Sequence, residues 1–149
     1  MRLAKDFKGA LSPYSNQQGS RAFHWSLPPP GFHKVNVDGA TSLDGTSSRI
    51  GVIIRDSTGH VTAAMSKPLP AHYSPETVEV LALENGVILA FKMNISPVIF
   101  ESDSLATVQS MIAMESGGPL GHIICEIRSS LLHFYSWILH QLESQQSSL

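Results

Sequence analysis

Two aspartates lie in or just after predicted strands, and together they could bind a divalent cation. Asp38 lies within an alternating strand pattern, and Asp103 follows the apolar run at residues 98–100. Parallel central strands would bring both aspartates to one edge of a sheet. Carboxylates that lie close together repel one another unless they share a cation, and hard oxygen ligands favour Mg²⁺ or Mn²⁺. The residues alone also allow purely structural roles, in which Asp38 forms a turn and Asp103 caps a helix.

The elements that must position these carboxylates follow from hydrophobic periodicity. Alternation predicts three strands that form an antiparallel meander, at residues 33–40, 50–55 and 60–67. Ser74 as N-cap and Pro75 as first helical residue predict the longest helix, which ends near Met93. A buried strand, two helices and a last strand follow, at residues 97–102, 105–114, 121–132 and 134–140. This order predicts an α/β fold: a mixed sheet of three antiparallel and then parallel strands, flanked by helices.

Composition limits the class of protein. The 149 residues, 42% of them apolar, suffice for one domain with a core. A net charge of −2 gives no global support for nucleic-acid binding, so any contact with phosphate must be local. Cys125 is the single cysteine, which excludes an internal disulfide and a multi-cysteine zinc site and suits a reducing compartment.

The chain divides by composition into four parts. We expect a disordered tail at residues 1–24, a Pro-rich linker at 25–31, the folded domain at 32–140 and a polar tail at 141–149. No apolar run is long enough to span a membrane, and a secretory signal is absent, so we expect an intracellular protein of the nucleus or cytoplasm. The basic residues near the N-terminus leave organelle targeting open.

Several ordered motifs resemble one known family. Residues 35–40 (Val-Asn-Val-Asp-Gly-Ala) resemble the opening strand of ribonuclease H domains, especially those of the plant branch associated with reverse transcriptases. Residues 51–56 are similar to the second strand of that branch, 79–83 to its acidic first helix and 100–104 (Phe-Glu-Ser-Asp-Ser) to its fourth strand. The Trp, Pro and Lys pattern at 25–34 also fits, so the resemblance covers roughly residues 25–140.

The resemblance implies a ribonuclease H-like fold and a metal-dependent endonuclease that cuts the RNA strand of RNA:DNA hybrids. Asp38, Glu79 and Asp103 would be three of four carboxylates that hold two metal ions, Mg²⁺ or Mn²⁺. By helical periodicity either Glu79 or Glu84 could face the sheet, whereas the position within the family motif favours Glu79 as the ligand. His140 resembles the histidine that assists proton transfer or product release, although an ordinary histidine at a strand end remains an alternative.

The segment at residues 141–149 departs from the family pattern. The family continues with a basic, Asn-bearing loop and an Ala-Asp pair that opens a final helix, and neither is found here. We therefore expect a truncated or alternatively ended form in which the fourth carboxylate and the last helix are missing. Loss of that helix would uncover apolar sheet surface that could bind a protein partner.

Two alternatives to the enzyme remain open. A catalytically impaired module of the same fold would bind nucleic acid or a protein without cleavage, because fold does not dictate function. A decayed remnant of a mobile element would instead be poorly soluble. Basic side chains that could contact phosphate are scattered along the sequence, at Lys34, Arg49, Arg55 and Lys92.

Overall fold

The computed structural model describes residues 25–113 and 117–142, which form one mixed sheet with helices packed against it. The five strands within these ranges are β1 (His33–Thr41), β2 (Ser48–Arg55), β3 (Val61–Pro68), β4 (Val98–Ser102) and β5 (Trp137–Gln141). The three helices are α1 (Pro75–Lys92), α2 (Leu105–Ala113) and α3 (Gly121–Leu131).

The strand order in the sheet is β3-β2-β1-β4-β5. The first three strands are antiparallel neighbours, whereas β4 is parallel to β1 and β5 is parallel to β4. The chain passes from β3 to β4 through α1, because a parallel strand cannot be reached by a tight turn. This arrangement confirms the predicted α/β fold with a mixed ribonuclease H-like sheet and flanking helices.

The core lies between the sheet and the helices. Val35 and Val37 of β1 point toward α1, where Gly86 has no side chain to hold the helix away. On β4, Phe100 packs edge-on against Phe134, with ring centroids 5.6 Å apart. Alternation along the strands places these residues on one face of the sheet and the intervening residues on the other face.

Helix α1 begins where the sequence predicts. The Ser74 hydroxyl accepts a hydrogen bond from the Thr77 backbone N–H at 3.3 Å, and Pro75 follows in the first turn. Both features satisfy or remove N–H groups that have no partner inside the helix. The helix ends at Lys92, after which Asn94 adopts a positive φ of 58° that turns the chain toward β4.

The last strand differs from its prediction in its bounds. It begins at Trp137 rather than Phe134, because Phe134 is held in the core and residues 134–136 turn before the strand. The strand continues one residue past His140 to Gln141, which pairs with Ser102. The tail expected at residues 1–24 lies outside the described residues. Of the tail expected at 141–149, Gln141 belongs instead to β5, and residues 143–149 lie outside the described residues. Within the described ranges, no helix combines the length and apolarity that crossing a membrane requires.

Candidate metal centre

Asp38, Glu79 and Asp103 form one cluster of carboxylates. Each side chain offers an oxygen, and these oxygens all lie within 4.8 Å of one another. Asp38 and Asp103 are brought together by the parallel register of β1 and β4, in which Val37 lies opposite Ser102. Glu79 comes from the beginning of α1, which lies close to β1 at Gly39. The structure therefore unites the three carboxylates named from the sequence.

The cluster holds more negative charge than its own surroundings neutralise. Burial raises the pKa of Glu79 to about 7, and the nearby Asp103 and Asp38 add to this effect. Burial also raises the pKa of Asp38, again with a contribution from Asp103. Hydrogen bonding to the backbone of Gly39 opposes both shifts without cancelling either. Like charges in a partly buried site make a proton or a cation favourable there.

One oxygen of this cluster lacks a partner. Glu79 Oε1 is buried and has no hydrogen bond from any residue that the structure describes. A buried carboxylate oxygen without a donor is costly unless a cation or a water molecule satisfies it. Three hard oxygen ligands without sulfur or imidazole fit a cation such as Mg²⁺ or Mn²⁺ better than Zn²⁺. The residues present thus fit a divalent cation.

Glu84, the helical alternative to Glu79, lies elsewhere. Burial raises its pKa, and the charges that act on it are those of Glu126, His122 and Lys67 rather than the aspartates of the cluster. Five residues of α1, about one and a half turns, therefore separate a glutamate that faces the candidate metal centre from one that lies near charges of α3. Helical periodicity could not distinguish the two glutamates, and Glu79, which motif position favours, is the one that lies in the cluster.

His140 belongs to a second polar group, which contains Glu101, two residues before Asp103 in the sequence. The Nδ1 of His140 lies 2.6 Å from Oε2 of Glu101, a residue for which the sequence predicted no role. Glu101 is 1% exposed and lies in β4, a strand in which every residue is buried. A charged residue inside a buried strand is the signal that could have identified it, because such a residue needs a partner.

Lys34 completes this group and is not a phosphate contact. The side chain is 0% exposed, and its Nζ lies 3.4 Å from Glu101 Oε2. The expectation that Lys34 contacts a nucleic-acid backbone is therefore wrong, because no anion in solvent can reach a fully buried ammonium group. Its Nζ also donates a hydrogen bond to the Ser26 carbonyl at 2.7 Å. Burial lowers the pKa of Lys34, and the charge of Glu101 opposes this shift.

The Pro-rich segment at residues 25–31 lies against the sheet. The Trp25 indole N–H donates to Asn36 Oδ1 at 2.6 Å. The cations of Lys34 and Arg55 each lie 5.0 Å from the centre of the Trp25 ring. Cation–π contacts of this kind hold the indole over β1 and β2. Of the expected basic contacts, Arg55 thus stacks on Trp25, while Arg49 and Lys92 remain exposed.

A pocket of about 480 Å³ lies beside Asp38. It is lined by residues of three neighbouring strands: Asn36, Val37 and Asp38 of β1, Gly51, Val52 and Ile53 of β2, and Ala64, Met65 and Ser66 of β3. Ile53 is among the exposed large apolar side chains of the domain. The floor of this pocket is therefore mostly apolar and adjoins the carboxylate cluster.

Comparison with known proteins identifies a family. Residues 36–147 match the model of a family described as reverse transcriptase-like. A search of curated proteins gives no match. Among solved structures, the chain is similar to RNase H1 from the halophilic archaeon Halobacterium salinarum, with a TM-score of 0.68 and 15% identity over 75% of this chain and 86% of that one.

Two further structures have the same fold. The N-terminal RNase H domain of a Mycobacterium tuberculosis protein matches with a TM-score of 0.67 and 15% identity over 75% of this chain and 82% of that one. LC11-RNase H1, from compost, in complex with an RNA/DNA hybrid matches with a TM-score of 0.64 and 15% identity over 78% of this chain and 88% of that one. The described domain therefore has the fold of RNase H1.

Proposed function

The chain belongs to the reverse transcriptase-like family, and from this premise we propose that it is a metal-dependent nuclease that hydrolyses the RNA strand of RNA:DNA hybrids. The observation that carries the proposal is the cluster of Asp38, Glu79 and Asp103 at the ends of two central parallel strands. A relative with the same fold was solved with an RNA/DNA hybrid, which supports this class of substrate. The motifs at residues 35–40 and 100–104 support the plant branch of the family.

In this proposal Asp38, Glu79 and Asp103 hold Mg²⁺ or Mn²⁺. When bound, such cations stabilise negative charge on the reacting phosphate and lower the pKa of the attacking water. Glu79 must lose its proton before it can serve as a ligand, and its pKa of about 7 means that this happens near neutral pH. A cation held by these residues would offset the cost of burying Glu79 Oε1, which accepts no hydrogen bond from the described residues.

Recognition of the hybrid would depend on shape rather than sequence. Proteins distinguish such duplexes through the 2′-hydroxyls and the width of the minor groove, and basic side chains add affinity through phosphate contacts. Arg49 lies on β2 with its guanidinium exposed, and its Nη2 donates to Ser66 at 3.2 Å. With Lys34 buried, Arg49 and Lys92 are the remaining candidates from the sequence for contact with phosphate. An intracellular location, in the nucleus or cytoplasm, would place the chain where RNA:DNA hybrids form.

The test is cleavage of an end-labelled RNA:DNA hybrid by the full chain with Mg²⁺ or Mn²⁺. We expect cleavage that EDTA abolishes and that Asp38→Asn and Glu79→Gln each reduce by at least about a hundredfold. Glu76→Gln is the matched control, because Glu76 lies on the same helix, is exposed and is outside the cluster. Absence of cleavage by the folded wild-type protein would refute the proposed nuclease activity.

The second candidate is a module of the same fold that binds nucleic acid or a protein without cleaving. The observation in its favour is that the cluster contains three carboxylates among the described residues, whereas the resemblance implies four. The apolar pocket beside Asp38 and the exposed Ile53 favour a protein partner on this sheet surface. Tight binding of the hybrid in EDTA, with no cleavage in either metal, would support the module over the enzyme.

A further inference from the structure

Three polar residues form a row across the sheet next to the candidate metal centre. Asn36 of β1 lies opposite Glu101 of β4, which lies opposite His140 of β5. Two members of the row lie close in sequence to the cluster. Asn36 precedes Asp38 by two residues, and Glu101 precedes Asp103 by two residues. Alternation places Asn36 and Asp38 on the same face of β1.

Hydrogen-bond donors surround the carboxylate of Glu101. Its Oε1 accepts from Asn36 Nδ2 at 2.7 Å. Its Oε2 faces His140 Nδ1 at 2.6 Å and the Lys34 ammonium at 3.4 Å. Neither Asn36 Nδ2 nor the ammonium can accept a hydrogen bond, so the carboxylate of Glu101 accepts from both. As the counter-ion of the buried Lys34 ammonium, Glu101 is a carboxylate and has no proton to donate, so in the 2.6 Å contact with the imidazole Nδ1 donates.

The orientation of Asn36 is itself fixed by Trp25. An amide side chain could in principle present either its oxygen or its NH₂ group to Glu101. The Trp25 indole N–H is a donor only, and it lies 2.6 Å from Asn36 Oδ1. Asn36 therefore has to direct its NH₂ group toward Glu101. The hydrogen-bond directions are thus determined along the whole chain of contacts from Trp25 to His140.

We propose that Glu101 is a positioning residue that holds the His140 imidazole with its proton on Nδ1 and its lone pair on Nε2. The proposal rests on the proposed nuclease function for its catalytic meaning, whereas the state of the ring is a property of the folded protein alone. With Nδ1 donating to Glu101, the neutral imidazole carries its lone pair on Nε2. His140 is 13% exposed, so solvent reaches part of its side chain.

A purely structural role for Glu101 predicts different behaviour. The carboxylate also neutralises the buried Lys34, so its removal would destabilise the domain whether or not His140 has a function. The two roles differ in what His140 reports. A positioning role changes the tautomer of the imidazole and makes the effects of the two residues on turnover non-additive, whereas a counter-ion role changes only stability.

The first experiment measures the tautomer of His140 in the full chain by long-range ¹H–¹⁵N NMR above the pH at which the imidazole is charged. The His140 signals are assigned by their loss in His140→Gln. We expect the Nδ1–H tautomer in the wild type and a shift toward Nε2–H in Glu101→Gln. In that variant the amide oxygen accepts from the Asn36 NH₂ group, so the NH₂ group of the glutamine faces Nδ1 and cannot accept from it. An Nε2–H tautomer in the wild type, which needs no variant to fold, would overturn the proposal.

The matched control is the second Glu–His pair of the domain. His122 Nε2 lies 3.3 Å from Glu126 Oε2 on α3, with both side chains largely exposed. Glu126→Gln removes a carboxylate next to an imidazole without touching the buried row. We expect it to leave the His140 signals unchanged. A His140 tautomer that responds equally to Glu126→Gln would show that Glu101 has no specific role.

The second experiment is a kinetic double-mutant cycle with the labelled hybrid. We expect Glu101→Gln and His140→Ala each to lower kcat by roughly tenfold or more, with KM nearly unchanged. The double variant should be no slower than His140→Ala, because Glu101 acts through that ring. Independent, multiplicative losses would overturn the positioning role. If the wild type does not cleave, the nuclease proposal fails, and the NMR result still decides how Glu101 holds the imidazole.

Discussion

Gly39 of β1 and Val78 of α1 are in contact so closely that position 39 has no room for a side chain. A Cβ atom there would lie 2.6 Å from Val78 Cγ1 and 2.9 Å from the Val78 carbonyl oxygen. Because the second of these atoms belongs to the backbone, a rotamer change could not relieve the contact. Asp38 precedes Gly39 and Glu79 follows Val78, so this contact sets the distance between two carboxylates of the candidate metal centre.

Replacement of Gly39 should therefore affect both stability and metal binding. Gly39→Ala is expected to lower the free energy of unfolding by about 1–3 kcal/mol, because the helix must move away from the strand. It should also weaken Mn²⁺ binding, measured by calorimetry, since Glu79 moves with the helix. Gly117→Ala is the control, because a Cβ there meets no atom within 4 Å. Wild-type stability and Mn²⁺ affinity in Gly39→Ala would contradict this account.

The metal-free protein should lose stability as the pH rises from about 4.5 to about 7. The folded chain binds the Glu79 proton more tightly than the unfolded chain, so ionisation of Glu79 costs free energy only in the folded state. The loss should be on the order of 1 kcal/mol, because water still reaches part of this carboxyl group. Urea unfolding in EDTA measures it.

The variant Glu79→Gln tests the assignment of this pH dependence. In this variant the free energy of unfolding should depend less on pH. It should also exceed that of the wild type above pH 7, where the wild-type carboxylate is ionised and has no cation beside it. Glu76→Gln, an exposed change on the same helix, should leave the pH dependence as it is. An equally steep fall in Glu79→Gln would assign the effect to another group.

Divalent cations should reverse this loss. A ligand at about 100 times its Kd that binds only the folded state adds about 2.7 kcal/mol to the free energy of unfolding. We expect Mg²⁺ or Mn²⁺ to raise the Tm at pH 8 and to have little effect at pH 5, where the proton competes at Glu79. Asp103→Asn should reduce the rise, because it removes one of the three ligands. A rise of equal size in Asp103→Asn would place the ion elsewhere.

Much of this fold could be predicted from the sequence, because its signals are local. Alternation identified the meander, and Ser74 with Pro75 fixed the start of α1. The parallel pairing of β1 with β4 followed from the helical crossover between them. The three carboxylates could be named because each lies in a motif, although only the structure brings their oxygens within 4.8 Å of one another.

The second polar group could not be predicted in the same way. Glu101, Lys34 and His140 are far apart along the chain, and no periodicity links residues on three different strands. Lys34 was misread as a phosphate contact because a lysine is usually exposed, whereas here Glu101 stabilises its burial. The predicted start of β5 at Phe134 was wrong because the contact of Phe134 with Phe100 joins residues far apart in the sequence, and no local pattern reveals it.

The burial of Lys34 indicates a structural role rather than contact with nucleic acid, and a substitution can distinguish these two roles. Lys34→Met should lower the free energy of unfolding by about 3 kcal/mol, since the buried Glu101 loses its cationic partner. Lys92→Met, at an exposed lysine of α1, should change stability by less than about 0.5 kcal/mol. In hybrid binding, Lys34→Met should leave the dependence of log K on log salt unchanged, because only phosphate contacts release counterions. A slope reduced by about one would mean that the Lys34 ammonium reaches a phosphate, contrary to its burial.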